Sequence, residues 1–422
     1  MDFSSEFWED EQVNMGYLQT AFKGISWMAA LRGFTRGLVI IKTAILARIL
    51  LPSQFGIYGI ATIVLGFLET LTETGINIFL IQEKEEIDSY VNSSWVVSIL
   101  RGIIISILIL VLIPIITSFF NASNAKEILV LVSVVPFIRG FINPSVVKFQ
   151  KDLKFNKQFF YDSCLFLIDT IVAIVLVFLT KSENSLIWSM IIAALCEVVL
   201  SFIIFSPRPK LIFETEKVKK VINRGKWITG AGIFNYMFQN LDDIVVGRVL
   251  GILPLGLYQQ AYKISTLPVS EVGEIFNKVT FPIYATIKDD TQRLKQAFNK
   301  TLLIITIFVI PFGIFVFFFP ELIVKILLGE NWLEVVPVLR VLAIFGVVKA
   351  IFNSYFSFFL AINKQEIVTL ITFVSILAMS IVLLPLINFY GIIGAGIATI
   401  VATFISFPVV LYYFSKFTKD EK

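Results

Sequence analysis

Apolar runs of about twenty residues, separated by short polar connections, make up nearly the whole chain. They fall near residues 23–50, 54–81, 92–119, 127–147, 158–180 and 185–206, and then near 226–250, 255–286, 297–319, 333–361, 366–387 and 391–414. A helix of that length crosses roughly 30 Å of hydrocarbon, so the pattern predicts about twelve transmembrane helices. The longest polar connection, Pro207 to Arg224, divides them into two equal sets. An even number of crossings in each set makes the two halves parallel, related by an axis along the membrane normal. The expected division is a polar tail 1–22, a first six-helix lobe 23–207, a linker 208–225, a second six-helix lobe 226–414 and a second tail 415–422.

The halves also share residues. Trp27, Phe34, Arg48, Leu50, Gly56 and Tyr58 reappear in the same register, without a gap, as Trp227, Phe234, Arg248, Leu250, Gly256 and Tyr258. These matches fall at equivalent points of two helical hairpins and read as helix ends and turn geometry common to both lobes. At the same offset, Arg32, Arg36 and Lys42 have no counterparts, because Gly232, Tyr236 and Asp242 stand there instead.

Composition excludes a soluble protein. Of 422 residues, 57% are hydrophobic and 16% charged, with a mean hydropathy of +0.85, whereas ordinary globular domains are near 45–50% apolar and about 25% charged. The fold class expected is therefore an all-α polytopic membrane protein. The net charge of +4 matters less than its placement. Lys148, Lys151, Lys154 and Lys157, then Arg208, Lys210, Lys217, Lys219, Lys220, Arg224 and Lys226, then Lys288, Arg293, Lys295 and Lys300 all fall in alternate loops. The positive-inside rule then puts both termini in the cytoplasm. The acidic stretch Gln82 to Asp88 dissents, but acidic residues weigh little in that rule.

No basic tail or aromatic-interleaved basic patch points to nucleic acid. Histidine is absent, which removes the usual general base and the commonest metal ligand. Cys164 and Cys196 both fall in predicted membrane helices and read as small buried residues, not as a disulfide or zinc site. With no phosphate-cradling glycine loop and no paired-aspartate signature, neither an enzyme nor a bound cofactor is expected.

The candidate chemistry lies where lipid should be. Ionised side chains inside a bilayer are expensive and normally face a cavity or a partner. Arg32 and Arg36 lie one turn apart on the first helix, with Lys42 flanking their face; Arg101 and Arg139 add cations on the third and fourth. Converging cations suit an anion, most naturally a phosphate or pyrophosphate, for which arginine supplies paired donors. The competing reading is neutralisation by acids of the same half, namely Glu69, Glu73, Asp162, Asp169 and Glu197. The seventh helix carries Asn235, Gln239 and Asp242 on one stripe with Asp243 alongside. These, with Glu69 and Glu73 of the second helix, are the candidates to accept sugar hydroxyls or bind a coupling proton or sodium; the stripe reads equally as a hydrogen-bonded seam between helices. Lys263, Glu271, Glu274 and Lys278 read as pairs within the eighth helix, and Arg340 and Lys349 either reach a cavity or snorkel to an interface.

The hairpin Trp27, Arg32, Arg36, Leu46-Ala47-Arg48-Ile49-Leu50-Leu51-Pro52 to Phe55-Gly56, with Gly75 and Leu80-Ile81-Gln82, resembles the amino-terminal signature of one transporter family. Gln239 to Asp243, Val246-Gly247-Arg248, Gly256-Leu257-Tyr258, Leu328-Gly329-Glu330-Asn331-Trp332 and Gly391 to Ala398 follow in the matching order. The family is the Wzx/teichuronic-acid branch of polysaccharide exporters, within the multidrug/oligosaccharidyl-lipid/polysaccharide exporter superfamily. The resemblance runs from Gly16 onward. It implies two six-helix lobes around a central cavity in the bacterial cytoplasmic membrane. It also implies that undecaprenyl-pyrophosphate-linked oligosaccharide is flipped by alternating access, with Arg32 and Arg36 at family positions.

Expected partners are that lipid-linked substrate, membrane lipids, a coupling proton or sodium, and glycan polymerase machinery. Many members continue for two further helices, whereas this chain ends at Lys422, leaving open how the lipid tail exits. The rival readings are a cation-coupled multidrug exporter of the same superfamily, which predicts an acid-dominated cavity, and a membrane-embedded polymerase or transferase.

Overall fold

The computed structural model describes residues 26–82, 87–212, 214–287 and 290–418. The tail predicted over 1–22, residues 419–422 of the second tail and Glu83 to Glu86 of the acidic connection lie outside them. The described residues form helices joined by turns, with no strand among them. This follows from solvent: in hydrocarbon every backbone N–H and C=O must find its partner within the segment, and a helix achieves that locally.

In chain order the helices are α1 (26–47), α2 (Pro52–Leu71), α3 (Ile76–Gln82), α4 (Val91–Phe119), α5 (Lys126–Arg139), α6 (Lys148–Lys151), α7 (Phe155–Thr180) and α8 (Asn184–Ile204). Then follow α9 (Thr215–Val249), α10 (Ile252–Thr286), α11 (Thr291–Phe318), α12 (Pro320–Leu327), α13 (Val336–Ala361) and α14 (Gln365–Thr418). Seven described helices are long and apolar enough to cross a membrane by length and composition. Of the described helices outside that set, α1, α5, α9 and α10 each carry charged and polar positions singled out above.

Three departures from the apolar pattern matter. The segment predicted over 54–81 is two helices, because the chain breaks after Leu71 and turns at Gly75, whose φ of +61° favours glycine. The segments predicted at 366–387 and 391–414 run on in α14, with a break at Gly391 (φ 58°, ψ −137°). Finally, α9 starts at Thr215, well before the apolar run at 226.

Contacts group the chain into two compact units. The first comprises Met1–Ile49, Val64–Ile113 and Glu127–Ile233, and the second Leu50–Ile63, Pro114–Lys126 and Phe234–Lys422. In the first, α1 lies on α7 through the rings of Trp27 and Phe34 against Phe159, with centroids 5.3 and 6.2 Å apart. Asn143 ties the turn after α5 to the end of α8: its N–H donates to Ser201 Oγ, and its amide to the carbonyls of Phe205 and Pro207.

The second unit has an aromatic core. Phe298 of α11 is enclosed by Tyr355 and Phe358 of α13 and Phe414 of α14, with ring centroids 4.7–5.1 Å away. The same unit holds the first turns of α2 against α10, and here the repeat becomes geometry. A Cβ on Gly56 would run into the carbonyl oxygen of Ile252, and a Cβ on Gly256 into that of Pro52. Residues 52 and 252, and 56 and 256, thus exchange roles across one helix crossing. Phe55 meets the buried ring of Trp332 edge-on at 5.1 Å, Tyr236 donates to the carbonyl of Ile63 at 2.6 Å, and Arg248 donates to that of Phe119 at 2.6 Å.

Because backbone cannot yield as a side-chain end can, Gly56→Val should cost at least about 1–3 kcal/mol. The thermal unfolding midpoint of the detergent-solubilised protein should fall clearly, whereas Gly230→Ala, whose Cβ meets nothing within 4 Å, should leave it in place. Equal midpoints for the two variants contradict the crossing.

Candidate functional site

In the first unit three membrane cations meet carboxylates on other helices or turns. Lys42 Nζ of α1 lies 2.7 Å from Asp169 Oδ2 of α7, and Asp169 Oδ1 accepts from Ser189 Oγ of α8 at 2.8 Å. Arg101 of α4 reaches the break between α2 and α3. It donates to the carbonyl of Glu69 at 2.7 Å and to Glu73 Oε2 at 3.1 Å, and its Nε to Thr72 Oγ1 at 3.3 Å. A helix end leaves carbonyls without partners, and this guanidinium satisfies one while cancelling an acid. Glu73 in turn accepts from the N–H of Gly75 at 2.9 Å, which holds the turn. Arg139, at the end of α5, lies 3.7 Å from Glu69 and within electrostatic reach of Glu197 on α8, itself near Asp162 of α7.

The expected set of anion contacts is thereby divided. Lys42, Arg101 and Arg139 are each engaged by an acid that the sequence had offered as the competing partner. Lys42, read from spacing as flanking the arginine face, instead turns to α7. The reason is rotational. At about 100° per residue, Phe34 and Lys42 fall about −20° and +60° from Trp27, while Arg32 and Arg36 fall about 140° and 180° from it. Trp27, Phe34 and Lys42 make the contacts with α7, so the two arginines lie around the far side of α1. Arg32 is half-buried and Arg36 exposed, and a Cβ on neighbouring Gly33 or Gly37 would meet nothing within 4 Å. Glu69 and Glu73, read as sugar- or ion-binding, serve the α2 break and its arginines.

The stripe on α9 is brought together in the second unit, and it too divides. Asn235 and Gln239 are exposed and bond to each other, Gln239 Nε2 donating to Asn235 Oδ1 at 3.0 Å. Asp242 and Asp243 instead face α10: Tyr258 donates to Asp242 Oδ2 at 2.7 Å and Gln259 Nε2 to Asp243 Oδ2 at 3.0 Å. Lys349 of α13 donates to the hydroxyl of Tyr262 at 2.6 Å, with its charge 4.9 and 5.6 Å from the ring centres of Tyr262 and Phe345. Asp242 lies within electrostatic reach of that lysine. Lys349 is thus held by an aromatic hydroxyl and two rings instead of snorkelling. Arg340 is exposed, and the side chains of Glu271, Glu274 and Lys278 lie outside the described residues.

Tyr258, Gln259, Tyr262 and Ser189 were missed as partners of these acids and of Lys349. Tyr258 was legible only as a repeat position, whereas Ser189 had no signal beyond its place in an apolar run. Among the described residues no group of three acids or cysteines gathers as a metal site; Cys164 and Cys196 are free thiols, but Cys164 is exposed and Cys196 half-buried, where both were expected to be buried.

Similarity to known proteins agrees with this architecture. The chain is 25% identical to the lipopolysaccharide biosynthesis protein WzxC of Escherichia coli (strain K12) over 367 residues, 84% of this chain and 72% of that protein. The lipid II flippase MurJ in an inward closed conformation superposes with a TM-score of 0.75 at 17% identity, covering 93% of this chain and 90% of that one. An inward-facing multidrug resistance MATE family transporter gives 0.67 at 14% identity, covering 93% and 96%. Both solved structures share the two-repeat helical fold. A family model described as polysaccharide biosynthesis protein matches residues 45–337, and the chain belongs to that family.

Proposed function

We propose that this protein moves a lipid-linked oligosaccharide, the repeat unit of a surface polysaccharide, across the bacterial cytoplasmic membrane. Family membership and the name of its WzxC relative support the substrate class. One geometric observation carries the reading: α1 packs Trp27, Phe34 and Lys42 against α7, while Arg32 and Arg36 fall about 140° and 180° around the helix from Trp27.

A pyrophosphate headgroup bearing sugars loses its water in hydrocarbon and does not cross unaided. Two guanidiniums one turn apart replace that hydration with paired, charge-assisted donors. Arg101 and Arg139 neutralise Glu73 and Glu69, so that these acids do not repel the anion. On α9, the exposed amides of Asn235 and Gln239 suit sugar hydroxyls. The Asp242, Asp243 and Lys349 group is the place for a coupling proton or sodium. The distribution of Lys and Arg among the loops supports cytoplasmic termini, and translocation then proceeds by alternating access, without bond chemistry.

The fold is shared with multidrug transporters, but an exporter of cationic drugs needs acids facing its substrate. Here Glu69, Glu73, Asp169, Asp242 and Asp243 are engaged by arginine, lysine, tyrosine or glutamine, which favours the oligosaccharide reading.

Replacing Arg32 and Arg36 together by Ala should abolish surface glycan export in cells while the protein remains in the membrane at normal level. Unchanged export at normal protein level overturns the cationic site. The Asn235→Ala, Gln239→Ala double variant should lower the transport rate about 5–150-fold, the loss of two neutral hydrogen bonds. A leaflet-accessibility assay on proteoliposomes carrying the lipid-linked saccharide reads this, and a rate equal to the parent removes these amides from the site.

A further inference from the structure

Lys42 is placed unlike a residue that meets substrate. Its partner Asp169 lies well inside α7, which runs from Phe155 to Thr180, more than ten residues from either end of that helix. A lysine at such depth usually stretches its amine toward an interface. This one points to a carboxylate whose other oxygen is already held by Ser189, a fully buried hydroxyl on α8. Three helices therefore meet at one carboxylate. The neighbouring contacts of α1 with α7 are ring contacts of Trp27 and Phe34, which tolerate sliding and rotation; a 2.7 Å ion pair does not.

We propose that Lys42 is a positioning residue: its pair with Asp169 and Ser189 fixes the rotation and depth of α1, and so decides where Arg32 and Arg36 are presented. The inference rests on the reading of those arginines as the anion contacts. Lys42 itself touches no substrate. Removing one partner leaves an unpaired charge in the membrane, which α1 relieves by turning or shifting. The arginine face then moves with it, since all three residues share one rigid helix. Misplacement of a binding group by about 1 Å lowers turnover steeply.

The test is a charge exchange. Lys42→Met and Asp169→Asn should each lower glycan export on the order of 10-fold or more, at normal protein level in the membrane. The exchanged pair Lys42→Asp with Asp169→Lys should restore a large part of it. An exchanged pair that is present in the membrane yet as inactive as Lys42→Met overturns the proposal, because the charge is then needed on α1 itself, as a substrate contact requires. Should the exchanged pair fail to accumulate, the apolar pair Lys42→Met with Asp169→Leu serves instead. Positioning predicts more export than either single variant, and substrate contact predicts none.

A second readout does not depend on export. With Cys164 and Cys196 replaced by Ser, a cysteine at Arg36 reports the exposure of that face to a charged thiol reagent. Its labelling rate should change several-fold on adding Lys42→Met and return with the exchanged pair. If the Arg32, Arg36 double variant exports normally while this labelling still responds, the anion site is wrong and the positioning role stands. If labelling is indifferent to Lys42, the positioning role falls.

Discussion

An ionised side chain in hydrocarbon must find an opposite charge, a dipole or a polar ligand, and that demand organises the first half of this molecule. Neither propensity nor burial of apolar surface distinguishes one Leu/Ile/Phe-rich helix face from another when lipid is itself apolar. What distinguishes them is where Lys42, Arg101 and Arg139 reach Asp169, Glu73 and Glu69. Each contact joins elements distant in the chain, and each fixes a rotation that packing alone would leave loose. Such pairs are weak evidence for net stability, since two apolar residues of similar volume often hold as well. Their value here is register: they say which side of each helix faces protein and which side remains for other work.

The break in the second membrane segment shows how local chemistry and long-range pairing meet. Gly75 turns the chain and ends α2, freeing carbonyls that hydrocarbon cannot satisfy. Arg101 arrives from α4 to accept that role, bonding the Glu69 carbonyl and the Glu73 carboxylate with one nitrogen. A guanidinium suits the position because its Nε also donates to the Thr72 hydroxyl, a second donor site that an ammonium lacks.

Periodicity and repeat made much of this legible in advance. Apolar runs located most of the long helices, because a spanning segment must be long and apolar irrespective of its neighbours. The offset of the repeat anticipated that α2 and α10 begin at equivalent positions, 52 and 252. It could not show that Gly56 and Gly256 touch each other's helices, since identity in sequence says nothing of contact. The site was less legible for the same reason. Spacing put Arg32 and Arg36 on one face correctly, but it cannot say what a face sees. Lys42 lies only about 60° from the Trp27 direction on the helix, and contact with Asp169 alone reveals which neighbour it answers. Ser189 and Gln259 become meaningful only once an acid on another helix is brought against them.

The two halves use equivalent positions for different ends. Where the first half has Arg32, Arg36 and Lys42, the second has Gly232, Tyr236 and Asp242, and the structure gives each of these a packing contact. Gly232 comes close against Thr70, Tyr236 bonds the Ile63 carbonyl, and Asp242 takes the hydroxyl of Tyr258. These three positions on α9 are thus covered by α2 and α10, while on α1 positions 32 and 36 carry guanidiniums beside Gly33 and Gly37, on which a Cβ would meet nothing within 4 Å. A repeat inherited whole would place the same chemistry in both halves. Positions 32, 36 and 42 instead differ in chemistry from 232, 236 and 242, while Gly56 and Gly256 keep the same close approach of α2 and α10, so the packing device was retained where the polar positions diverged.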